Sequence, residues 1–238
     1  ELTESISVKA DGAVAIAMTA QPLLLGLART AVFEGLMMRA KPEDRPTVCW
    51  LPAATGSVGG IIAAVATVVV GLAAGLQTRA ALGLAAAAAG VLVIDGLRFS
   101  AFLAGRDRLA LGADLAWLSV SVTGLVATFA VSGVGLAALS WWYAIGAIIA
   151  TTCFGRFVSR LRPGPIPAWA SSQFRFGTDF VLQVVPGQAA LILASAVSSF
   201  AAVGQLRAAV TLFNPLTTAL YALRLTVLDR MRSAGRIG

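Results

Sequence analysis

The chain has 238 residues, of which 58% are hydrophobic and only 12% charged, and its mean hydropathy is +0.85. A soluble domain carries about twice that share of charge, so the composition sets aside an ordinary soluble globule. A net charge of +7 would suggest nucleic acid in a soluble protein, but here the basic residues are confined to short connections, and no nucleic-acid partner is expected. There is no His, which removes His-based metal sites, proton relays and Ser–His or Cys–His catalysis.

Seven apolar stretches follow in chain order: residues 13–33, 56–76, 80–102, 109–129, 136–157, 176–198 and 203–225. Each is long enough, at about 20 residues, to cross a hydrocarbon core of about 30 Å as a helix. The predicted fold class is therefore all-α, a polytopic membrane helical bundle. Lys and Arg divide unevenly between the alternate connections. Thirteen fall on one side: Arg39, Lys41 and Arg45; Arg106 and Arg108; Arg156, Arg160, Arg162 and Arg175; and Arg224, Arg230, Arg232 and Arg236. Three fall on the other: Lys9, Arg79 and Arg207. Basic residues stay cytoplasmic, so the chain is expected to start outside, cross seven times and end inside. An outside start, an odd number of spans and no leader at Glu1 lead us to expect a fragment that lacks at least one N-terminal helix.

The connections carry further signals. Residues 39–46 hold two prolines and mixed charge and read as an inner loop, whereas 76–79 and 131–135 are minimal outer turns. Pro163, Pro165 and Pro167 cannot continue a helix interior. Residues 1–162 therefore read as an incomplete first lobe, 163–175 as a cytoplasmic linker and 176–238 as the start of a second lobe. Trp141, Trp142 and Tyr143 are expected at the outer headgroup level, and Trp50, Trp117 and Trp169 at the inner one. Gly56 with Gly60, Gly71 with Gly75, and Ala85–Ala89 with Gly90 read as small-residue packing faces. Cys49 and Cys153, near the inner ends, read as small buried apolar residues without a disulfide.

Residues 27–34 and 222–229 match at an offset of 195: Arg29 with Arg224, Val32 with Val227, Glu34 with Asp229. Pro22 and Pro215 lie upstream, two positions out of register. Both segments point inward, as in a parallel repeat about the membrane normal. With Asp95-Gly-Leu-Arg98, Phe-Leu-Ala-Gly105-Arg106, Asp114-Leu-Ala-Trp117, the Glu-Gly-Leu-Met tail before Arg39, Val203-Gly-Gln-Leu-Arg207 and Phe213-Asn-Pro215, the chain resembles the MOP exporter superfamily. The closer likeness is to polysaccharide-biosynthesis flippases of the O-antigen type, which share a MATE-like fold. The resemblance implies two helical lobes around a cavity, with this chain covering about family helices two to eight. It implies a bacterial cytoplasmic membrane, a lipid-linked saccharide substrate, and glycan polymerases or glycosyltransferases as partners.

Intramembrane charge costs about 2.5–3.5 kcal/mol per residue on insertion scales, so it marks pairing or function. Asp95 and Arg98 share a helix face at i,i+3 and read first as a structural pair. Arg29 and Arg98, with Arg207 and Asn214, are the candidate substrate contacts. Asp95, Glu34, Arg224, Asp229, Pro186 and Pro215 are candidates for structure or coupling. Asp114 reads as compensated by headgroups and basic loops. No catalytic group, metal or cofactor is expected. Two other readings stand beside flipping: an ion-coupled drug exporter, which calls for deep carboxylates, and a non-transporting subunit of a glycan-assembly complex.

Overall fold

The computed structural model describes residues 20–132 and 136–166, together with Val14, Ala17, Gly177, Thr178, Pro186, Leu193 and residues 180–182. All regular structure among the described residues is helical. The sequence-predicted stretch 203–225, with Arg207, Asn214, Pro215 and Arg224, lies outside them, as do Asp229 and Trp169. The proposed repeat thus has only its first copy among the described residues. Pro186 is helical and exposed.

The first rod comprises α1 (Ala20–Ala28), a π turn (Arg29–Phe33) and α2 (Glu34–Arg39). It runs past residue 33 because Phe33 and Leu36 are buried with Val48, Cys49 and Leu103; the charges that ended the apolar window do not end the helix. A single turn, α3 (Arg45–Val48), leads into α4 (Trp50–Ala73). Helix α4 starts at Trp50, ahead of the predicted 56. Pro52 sits in its first turn, where a missing N–H goes unused, and the Ala53 N–H is satisfied by donating to Ser100 Oγ at 3.0 Å. Then come α5 (Thr78–Leu103), α6 (Asp107–Ser132), α7 (Leu136–Cys153) and the short α8 (Gly155–Val158). Residues 161–166 are not helical.

Two tight turns join α4 to α5 and α5 to α6. In each, a glycine takes the left-handed region, Gly75 at φ +84° and Gly105 at φ +68°. The Gly105 N–H bonds to Phe102 O at 3.0 Å and the Arg106 N–H to Ala101 O at 2.8 Å, a Schellman cap. Gly75 is therefore a helix stop with nothing near it, and the sequence expectation that it pairs with Gly71 as a packing face is corrected.

Helix α5 is the hub. It packs most extensively on α4 and α7, and 72% of its most apolar window is buried, against 28% for the span that includes α4 and 17% for α6. Small residues allow this. Gly56 rests on the Leu92 carbonyl and Gly96 on the Pro52 carbonyl, so the α4 and α5 backbones touch where a Cβ would not fit. The large apolar side chains point the other way. Val58, Ile61, Val65 and Val69 of α4 and Leu111, Leu115, Leu118 and Val126 of α6 are all more than half exposed. An apolar exterior around a small-residue interior suits hydrocarbon surroundings and not water. Among the described residues, three helices are long and apolar enough to cross a membrane: Arg45–Ala73, Thr78–Leu103 and Asp107–Thr128. Because successive helices reverse direction, the basic connections 39–45, 106–108 and 156–162 share one end of the bundle.

One aromatic placement is corrected. The Trp117 ring lies 4.8 Å from that of Tyr143, and its Nε1–H donates to the Tyr143 carbonyl at 3.2 Å. The two rings cannot stand at opposite headgroup levels. Trp117 is ten residues into α6, about 15 Å along its axis, and a bundle carbonyl takes the place of interfacial water for its N–H. Trp142 donates to Thr128 Oγ1 at 2.7 Å.

Candidate functional site

The hub helix carries the chemistry. Asp95 stands eight residues before the end of α5, about 12 Å from that end, and is only 2% exposed. A carboxylate so placed is tolerated when paired and hydrogen-bonded. Arg29 supplies this from the π turn of the first rod: its Nε–H donates to Asp95 Oδ2 at 2.8 Å and its Nη2–H to Oδ1 at 2.7 Å. Such a two-pronged pair is the strong geometry for a guanidinium. Arg98, one turn further along α5, reaches Asp95 Oδ1 at 3.5 Å and Asp114 Oδ2 of α6 at 3.1 Å.

The result is a chain of alternating charge, Arg29–Asp95–Arg98–Asp114, that ties the first rod, α5 and α6 together, two guanidinium groups against two carboxylates. The Asp95–Arg98 pair expected from spacing is present, but as the middle of a four-membered network. Arg29 and Arg98, the candidate cations, are brought together through Asp95. Asp114 is the network member that sequence reasoning missed: its compensation comes from Arg98, where headgroups and loops had been expected. The network is not closed. Arg98 Nε and Asp114 Oδ1 are buried with no hydrogen-bond partner, and the Arg29 and Arg98 side chains are 41% and 31% exposed.

Arg29 is also the first residue of the π turn, where the Glu34 N–H reaches back five residues to the Arg29 carbonyl. Thr30 Oγ1 donates to the Gly26 carbonyl at 2.9 Å, taking up an acceptor of the disturbed ladder. A π turn holds one more residue than an α turn and recurs at functional positions. Here it sets the azimuth from which Arg29 meets Asp95. Glu34 opens α2 beyond it.

An apolar crevice of about 630 Å³ lies between the first rod and α4, with Gly177, Thr178 and Val181 on one side. Leu24, Leu27, Ala28, Val58 and Ile62 are among its apolar lining, and Thr55 and Thr178 supply the hydroxyls. Val58 and Ile62 also belong to the exposed apolar face of α4, so the crevice is continuous with that face. No group of residues suited to a metal ion occurs among the described residues. No family model, curated protein or solved structure matches the chain.

Proposed function

We propose that the chain is part of a multi-pass transporter of a bacterial cytoplasmic membrane that flips or exports a lipid-linked saccharide precursor by alternating access between two helical lobes. The observation that carries this reading is the Arg29–Asp95–Arg98–Asp114 network inside an otherwise apolar bundle. A purely structural pair needs two members and no exposed guanidinium. Here two partly exposed arginines flank a buried carboxylate, and two buried polar atoms await partners.

A pyrophosphate offers the same paired oxygens as a carboxylate. It can take the place of Asp95 on Arg29, while the displaced Asp95 keeps its contact with Arg98, or it can take the place of Asp114 on Arg98. The adjoining crevice lets the hydrocarbon tail stay in lipid while the head enters between helices. Arg207 and Asn214 would serve the opposite lobe, and the glycan polymerase or glycosyltransferase would receive or deliver the substrate. The charge asymmetry of the connections supports a cytoplasmic setting for the basic end.

The test is reconstitution into vesicles with a fluorescent lipid-linked saccharide, following its exposure to a membrane-impermeant quencher. Protein-dependent exchange between leaflets is expected, and it should fall at least tenfold in Arg29→Gln/Asp95→Asn. That variant removes one balanced pair and leaves Arg98–Asp114 intact. Exchange no faster than in protein-free vesicles would overturn the reading. A second reading, ion-coupled export of a cationic drug, is favoured by one observation: Asp114 joins Asp95 as a carboxylate within the bundle. Dye efflux that collapses with the proton or sodium gradient, without lipid exchange, would select it.

A further inference from the structure

We infer that the α5–α6 turn and the end of α7 form a docking surface for an anionic phospholipid, distinct from the transport site and resting on the membrane placement proposed above. The Schellman cap at Gly105 ends α5 abruptly and leaves Arg106, Asp107 and Arg108 exposed. Helix α7 ends nearby, because Phe154 and Phe157 are buried against Ala110 and Ala113 of α6. The Arg106 guanidinium lies 5.6 Å from the centre of the Phe157 ring, which fixes one segment on the other. Arg156, Arg160 and Arg162 flank that ring along the chain and are exposed.

Five arginines and one aspartate thus meet at one end of the bundle. The ion pairs among the described residues, Arg29–Asp95, Arg98–Asp95, Arg98–Asp114 and Lys41–Glu43, use none of these five. What lies beneath them identifies the partner. Arg108, Leu111, Leu115 and Leu118 follow at helical spacing on one face of α6, and the three leucines are more than half exposed. A cationic end above an apolar stripe matches a phosphate head above an acyl chain. Guanidinium forks bind phosphate oxygens two at a time, and basic clusters at the cytoplasmic end of membrane helices bind acidic headgroups.

The experiment is native mass spectrometry of the delipidated full chain in detergent, titrated with phosphatidylglycerol or phosphatidylcholine. Wild type is expected to retain phosphatidylglycerol at least tenfold more tightly. Each arginine lost is expected to weaken it about fivefold, so Arg106→Gln/Arg160→Gln should lose about 25-fold. Arg39→Gln/Lys41→Gln, equal in charge but on another connection, should lose little. Equal retention of the two lipids by wild type needs no variant to interpret and would overturn the proposal. So would displacement of the lipid by soluble glycerol phosphate, or an equal loss in the control variant. Binding is read without transport, so a failed flipping assay leaves this result standing and the reverse also holds.

Discussion

At the residue scale, the account turns on Asp95, whose carboxylate accepts from one arginine on the π turn of the first rod and faces another on its own helix. Asp95→Asn keeps the shape and removes the charge that both arginines share. Breaking a buried pair from one side costs about 3–5 kcal/mol, so Asp95→Asn should lower thermal stability in detergent more than Arg29→Gln/Asp95→Asn does. A double variant no more stable than the single one would contradict this. Part of the network is legible in the sequence. Asp95 and Arg98 share a face by spacing alone. Arg98 and Asp114 lie seven and nine residues either side of Gly105 (105 − 98 and 114 − 105), so a tight helical hairpin puts them at one depth. Arg29 was not legible as their partner, because it is 66 residues from Asp95 on a helix brought in by tertiary packing. The same contacts show that Asp95 and Arg98 cannot be neutralised as an isolated pair, since Arg29 and Asp114 would each lose the partner described here.

At the element scale, the glycines separate packing from turn geometry. Gly96→Ala places a methyl group against the Pro52 carbonyl and should cost about 1–3 kcal/mol as overpacking, with α4 and α5 forced apart. Gly75→Ala meets no neighbour, but its φ of +84° should cost about 1–2 kcal/mol. Gly112→Ala, helical and with open space around it, should stabilise by about 0.4–1 kcal/mol. Unfolding midpoints of the three variants check the order, and Gly112→Ala ranking below Gly96→Ala would contradict it. Hydropathy located α5 and α6 closely, because the tight turns at Gly75 and Gly105 coincide with breaks between the apolar runs. It misplaced the start of α4 and the end of the first rod, where packing by Phe33 and Leu36 and the Ser100 hydroxyl outweigh local composition. The π turn Arg-Thr-Ala-Val-Phe contains neither Gly nor Pro, and nothing in its sequence announces it.

At the scale of the whole molecule, the exposed apolar faces of α4 and α6 and the shared basic end make orientation testable. Cys153 is exposed and Cys49 buried. An impermeant maleimide should label Cys153 only after the cells are opened, and Cys49 only after denaturation; labelling of Cys153 in intact cells would contradict the charge-based orientation. The central claim is that the charged network serves transport and does more than hold helices together. The most direct measurement is lipid-linked saccharide exchange by Arg29→Gln/Asp95→Asn/Arg98→Gln/Asp114→Asn, with membrane abundance measured in parallel. This variant leaves none of the four charges behind, so the bundle is expected to assemble at normal abundance while exchange falls to the protein-free rate. Wild-type exchange by the neutral network would contradict the account.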